Sequence, residues 1–135
     1  MPFTPSLFLR RVLQLDAVAT GATGIMLLGG TSLLQSLLNL PAALMIYAGL
    51  FCVAWAVTLG FTSLRKQISR NFVWTIIAAN AFWTLGSIAL LVSGYVAPTL
   101  LGYVFVIAQA LAVGVFAELQ YVGLTKRASV TSQAR

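Results

Sequence analysis

The chain has 135 residues, 60% hydrophobic and 7% charged, with a net charge of +6, no histidine and one cysteine. A soluble domain carries about a quarter charged residues, so lipid is the expected solvent for most of this surface. Without histidine or grouped cysteines the usual ligands of zinc, copper and haem are missing, and lone Cys52 forms no redox pair, so no metal and no cofactor are expected.

In chain order, Thr4-Pro5 reads as a helix start, with Thr4 as N-cap and Pro5 at the first helical position. The helix passes Arg10 and Arg11 at headgroup level and spans lipid over about residues 12–30. Two arginines before an apolar run imitate a signal peptide, but Asp16 interrupts that run, and the segment is retained as a span. Thr31 to Leu40 sets five leucines against Ser32, Gln35, Ser36 and Asn39. It is too short to cross, and reads as a short helix at the outer interface. Pro41 opens the second span, 42–64, whose 23 residues reach about 34 Å. The third span covers 72–94. A tight turn, Gly94 to Pro98, leads to the fourth, 99–124, and the polar tail 128–135 is expected to be flexible.

All eight basic residues lie outside these spans. Arg10 and Arg11 precede the first; Arg65, Lys66 and Arg70 separate the second and third; Lys126, Arg127 and Arg135 follow the fourth. The two other connections carry no charge. By the positive-inside rule both termini are cytoplasmic. The expected fold is all-α, a single domain formed as a four-transmembrane-helix up-down bundle. Short basic flanks suit contact with anionic headgroups of the bilayer, through Arg10, Arg11, Arg65, Lys66, Arg70, Lys126 and Arg127. Charge spread over three flanks does not suit nucleic acid. Tyr47, Tyr95 and Tyr103 fall near the outer interface, and Trp74 and Tyr121 near the inner one, as an aromatic belt requires. Trp55 and Trp83 fall near mid-depth, packed in the interior or against lipid.

Asp16, Thr20 and Thr23 on the first span share their spacing with Asn80, Thr84 and Ser87 on the third, and each set lies on one helical face. The pattern reads either as a duplicated helical hairpin or as chance in apolar sequence. A duplication would be a parallel repeat, because both spans enter from the same side. Spans two and four echo each other more weakly, Tyr47 with Tyr103 and Ala54-Trp55 with Ala110-Leu111.

The intramembrane polar candidates are Asp16, Thr20, Asn80, Thr84, Ser87 and Glu118. A charged aspartate at a helix centre costs about 2.5–3.5 kcal/mol on insertion scales, so such a residue faces protein and finds a partner. Functionally Asp16 reads as a proton or cation site. Structurally it reads as a carboxylate bonded to Asn80, a hydroxyl or a nearby arginine. Glu118 lies at similar depth, and would either share a proton or cation with Asp16 or meet Arg65, Lys66 or Arg70 at the rim. Asn80 reads as interhelical glue, contributing about 0.6–2 kcal/mol. Gln109 and Gln120 share a face of the fourth helix, with Glu118 well round from Gln109. A helix polar on two sides leaves room for a homo-oligomer or a membrane-protein partner. Ala17-x-x-x-Gly21 and Thr20-x-x-x-Gly24 form a small-residue ridge, for packing within the chain or between copies.

Catalytic chemistry finds little support. There is no histidine to pair with serine, no phosphate-cradling loop with its lysine, and no acid-rich loop for magnesium. Asn80-Ala81-Phe82-Trp83, Leu15-Asp16-Ala17 and Ala97-Pro98-Thr99 together resemble small four-span inner-membrane proteins of bacteria. That resemblance implies a multi-pass inner-membrane bundle and carries no activity. The small multidrug transporters match in length, span count and an acid in the first span. They differ in having glutamate there and in the pattern around it. Thiol reductases linked to quinones are excluded by the missing cysteine pair. Two functions are therefore expected in order: a non-catalytic protein working through helix–helix contacts, and a small proton- or cation-coupled permease using Asp16 and Glu118.

Overall fold

Four segments are helical over lengths and compositions that suffice to cross a membrane: α1 (Leu7–Gly29), α3 (Ala42–Leu64), α4 (Arg70–Ser93) and the part of α5 from Leu100 to Thr125. A short helix, α2 (Thr31–Leu38), links the first two. The computed structural model describes the backbone of residues 2–133 and side chains as far as Thr125. Helix α5 is continuous over Leu100–Gln133. Helix α5 therefore takes in 128–133, where a flexible tail was expected, while residues 134 and 135 and the headgroup contacts of Lys126 and Arg127 lie outside what the structure describes.

The start of the first helix also departs from the sequence reading. Helix α1 starts at Leu7, and its N-cap is Ser6, whose Oγ accepts from Leu9 N at 3.1 Å. Thr4-Pro5 lies ahead of it. The reason is an unexpected two-residue ladder: β1 (Pro2–Phe3) pairs antiparallel with β2 (Ile68–Ser69), which draws the first residues out as extended chain. Pro5 reinforces this by disfavouring helix at Thr4. Elsewhere the expected boundaries hold closely. Thr31 Oγ1 donates to the carbonyls of Leu27 and Leu28, taking up α1's terminal acceptors as α2 begins. Asn39 ends α2 in the left-handed region (φ 53°), and Pro41 precedes α3.

Helices α1 and α3 pack along their length, as do α4 and α5, and α1 also lies against α5. Gly24 faces Gly49 near one end of the first pair, and Arg10 reaches Ser63 and Arg65 near the other. At Gly24 the approach is backbone to backbone: an added Cβ would stand 2.9 Å from the Gly49 carbonyl oxygen. The ridge Ala17, Gly21, Gly24 is thus used inside the chain, with Gly21 turned to Ala56 and Ala17 packed in the core. Helices α3 and α4 stand apart, bridged by the stacked rings of Phe51 and Trp83.

Two apolar clusters close the two ends. At the basic end Leu9, Leu13, Leu59, Val73, Ile76 and Leu124 are buried together. There Arg10 donates to the carbonyls of Ser63 and Arg65, satisfying acceptors left over at the end of α3, so it is held by protein rather than free for headgroups. Arg11, Arg65 and Lys66 are exposed, and Arg70 lies over the Phe3 ring. At the uncharged end Leu27, Leu38, Leu40, Met45, Val96 and Val106 form the second cluster. A latch covers it: Thr99 N donates to Leu38 O, Thr99 Oγ1 to Leu37 O, and Asn39 Nδ2 to Ala97 O.

Candidate functional site

Between the two apolar clusters lies a polar layer. Asp16 on α1 is 0% exposed, Gln120 on α5 is 0% exposed and Asn80 on α4 is 4% exposed. Side chains on a helix lean toward its N-terminus. Asp16 and Asn80 therefore lean toward the basic end, and Gln120 leans away from it, so the three meet.

The centre is a closed set of hydrogen bonds. Asp16 Oδ2 accepts from Gln120 Nε2 at 2.7 Å and from Asn80 Nδ2 at 2.8 Å. Asp16 Oδ1 accepts from Thr20 Oγ1 at 2.9 Å, one turn along α1. Asn80 Nδ2 also donates to Gln120 Oε1 at 3.0 Å. Every partner of Asp16 among the described residues is thus neutral. The arginine expected as one possible partner is not used, because Arg10 turns instead to the end of α3.

A second polar group ties α4 to α5 one layer further on. Trp83 Nε1 donates to Gln109 Oε1 at 2.8 Å, and Gln109 Nε2 donates to Ser87 Oγ at 3.0 Å. Thr84 Oγ1 donates to its own helix at Asn80 O and across to Ala110 O. Each member of the stripe Asn80, Thr84, Ser87 is therefore bonded to another helix. Of the matching stripe, Thr23 bonds only its own helix, at Ala19 O.

Glu118 does not join the centre. Although α1 and α5 are neighbours, Glu118 is exposed, and neither Asp16 nor Arg65, Lys66 or Arg70 is its hydrogen-bond partner among the described residues. Two residues on an α-helix are about 200° apart around its axis. With Gln120 pointing inward, Glu118 must point outward. The sequence signal for the correct residue was the eleven-residue spacing of Gln109 and Gln120, three turns on one face. The weak echo of spans two and four also fails in environment: Trp55 faces the interior while Leu111 is 63% exposed.

Beside the centre is a cleft in two chambers. The inner one, about 110 Å³, is lined by Thr20, Thr23, Asn80, Gln109 and the rings of Phe51, Trp55 and Trp83. Phe51 stacks on both tryptophans, with centroids 5.9 Å from Trp55 and 5.4 Å from Trp83. The outer chamber, about 310 Å³, is apolar and shares Thr23, Trp83 and Gln109 with the first. Phe82 lines it yet is 79% exposed, which puts the mouth on the α4 side, where α3 and α4 stand apart.

No known protein family, curated protein or solved structure matches the chain.

Proposed function

We propose that this chain is a non-catalytic multi-pass protein of the bacterial inner membrane, an up-down four-helix bundle that works through helix–helix contacts as an accessory or assembly subunit. The observation that carries the reading is the outward position of Glu118. It lies six residues before Leu124, about 9 Å inside the end of the apolar span. Its neighbours along the same face of α5, Leu111, Val115 and Val122, are exposed and apolar. A carboxylate facing lipid at that depth is costly, and a helix supplying a cation or hydrogen-bond donors removes the cost. The buried centre supports the same reading from inside, since Asp16 is fully occupied in joining α1, α4 and α5. The basic flanks support cytoplasmic termini in this reading.

Affinity purification in mild detergent, with Glu118→Leu beside the wild type, tests this. A specific membrane partner, or a second copy, held by the wild type and lost from the variant is expected. A lone monomer from both, under several detergents, sinks the reading. Reporter fusions to the termini check the orientation, and activity of either reporter in the periplasm overturns it.

The permease alternative rests on one observation, the cleft adjoining the Asp16 centre. Proton or solute flux in liposomes, abolished by Asp16→Asn, is what it requires. Absent flux, or flux equal in wild type and variant, removes it.

A further inference from the structure

Asn80 carries an acceptor that the centre does not use. Both of its amide hydrogens are committed, to Asp16 Oδ2 and Gln120 Oε1. Its Oδ1 receives no hydrogen bond from any described residue. Among the described residues no fully buried side-chain polar atom lacks a partner. This oxygen therefore stands open to the inner chamber that Asn80 lines. The residue itself is only 4% exposed, so the acceptor is held in place and aimed at one small space.

That space has a definite chemistry. The polar hydrogens of the threonines, tryptophan and glutamine around it are spent: Thr20 donates to Asp16, Thr23 to Ala19 O, Trp83 to Gln109, and Gln109 to Ser87 and Val106 O. What remains is acceptors, the Asn80 carbonyl with the hydroxyl oxygens of Thr20 and Thr23 on the same lining, framed by three aromatic rings and the Cys52 side chain. A cation would find no open carboxylate oxygen, since both oxygens of Asp16 are bonded and the residue is 0% exposed. The apolar outer chamber continues the cleft. Its volume of about 310 Å³ is at the lower end of the range for ligand pockets.

We propose that the cleft binds a lipid-soluble molecule with a single hydrogen-bond-donating head, of the long-chain alcohol or phenol class. The head donates to Asn80 Oδ1 between Phe51, Trp55 and Trp83, the chain lies in the outer chamber, and the molecule enters sideways past Phe82. Asp16 and Gln120 then act as positioning residues for Asn80.

The test uses the full chain in lipid nanodiscs, with Trp74→Phe so that only Trp55 and Trp83 report. The probe is dodecanol brominated beside its hydroxyl, compared with bromododecane of the same length. Saturable quenching by the alcohol, about ten-fold tighter than by the alkane, is expected from one hydrogen bond near the upper end of its usual worth. Gly86→Leu fills the outer chamber without touching the centre, since a Cβ at Gly86 meets nothing within 4 Å. It should weaken alcohol quenching by a similar factor. Equal quenching by alcohol and alkane, or non-saturating quenching that follows partition into the bilayer, overturns the proposal whatever the variant does.

Discussion

Asn80 Nδ2 donates to Asp16 Oδ2 over 2.8 Å, and the two residues are 64 positions apart, the same offset that aligns the polar stripe of α1 with that of α4. One equivalent pair of the two stripes thus bonds directly. The pair is also complementary in chemistry. Two carboxylates at this distance would repel, whereas aspartate with asparagine gives an acceptor facing a donor.

Asp16→Ala leaves the amide donors of Asn80 and Gln120 without their acceptor in a site closed to water. Stability should fall by about 1–3 kcal/mol, more if relaxation is poor. Thermal unfolding in detergent measures it. An unchanged midpoint would show that the layer does not hold the helices together.

Gln120→Leu removes a donor to Asp16 and an acceptor for Asn80 at once. A loss of about 1–3 kcal/mol is again expected. Paired with Asp16→Ala in a double-mutant cycle, the effects should be clearly less than additive, because the two residues share one network. Additive losses would argue against direct coupling.

Gly24→Ala puts a methyl 2.9 Å from the Gly49 carbonyl oxygen, and the backbones must separate. Overpacking of this kind costs about 1–3 kcal/mol. Gly60→Ala on α3 meets nothing within 4 Å and should stabilise by about 0.5–1 kcal/mol through helix propensity. Comparing the two unfolding midpoints separates close approach from propensity.

Thr99→Val cuts the hydroxyl bond to Leu37 O and the cap that Thr99 Oγ1 provides to Gly102 N. Stability should drop by about 1–2 kcal/mol. Hydrogen exchange should speed up in α2 and the start of α5 while the centre stays protected. Uniform acceleration along all helices would contradict a local latch.

Glu118→Leu should leave the unfolding midpoint of the isolated chain within about 0.5 kcal/mol of wild type, since the carboxylate touches no described partner. A large loss in the isolated chain would place Glu118 in an internal contact.

The four apolar spans and a short helical link within Thr31 to Leu40 were legible in the residues, whereas the start of α1 and the end of α5 were not. Hydropathy, proline and glycine placement act locally, and lipid leaves a backbone little choice except helix. The same local rules pointed to Asp16, Asn80 and the hydroxyl stripes as inward groups. They did not say which neighbour each would meet. Whether Glu118 or Gln120 faces Asp16 depends on the rotation of α5 about its axis, and that rotation is set by how α5 packs on α1 and α4. Whether Arg10 reaches a headgroup or the end of α3 depends on where α3 stops beside it. The gap between α3 and α4, and the unspent oxygen of Asn80 within it, arise only once four helices share a volume they do not completely fill.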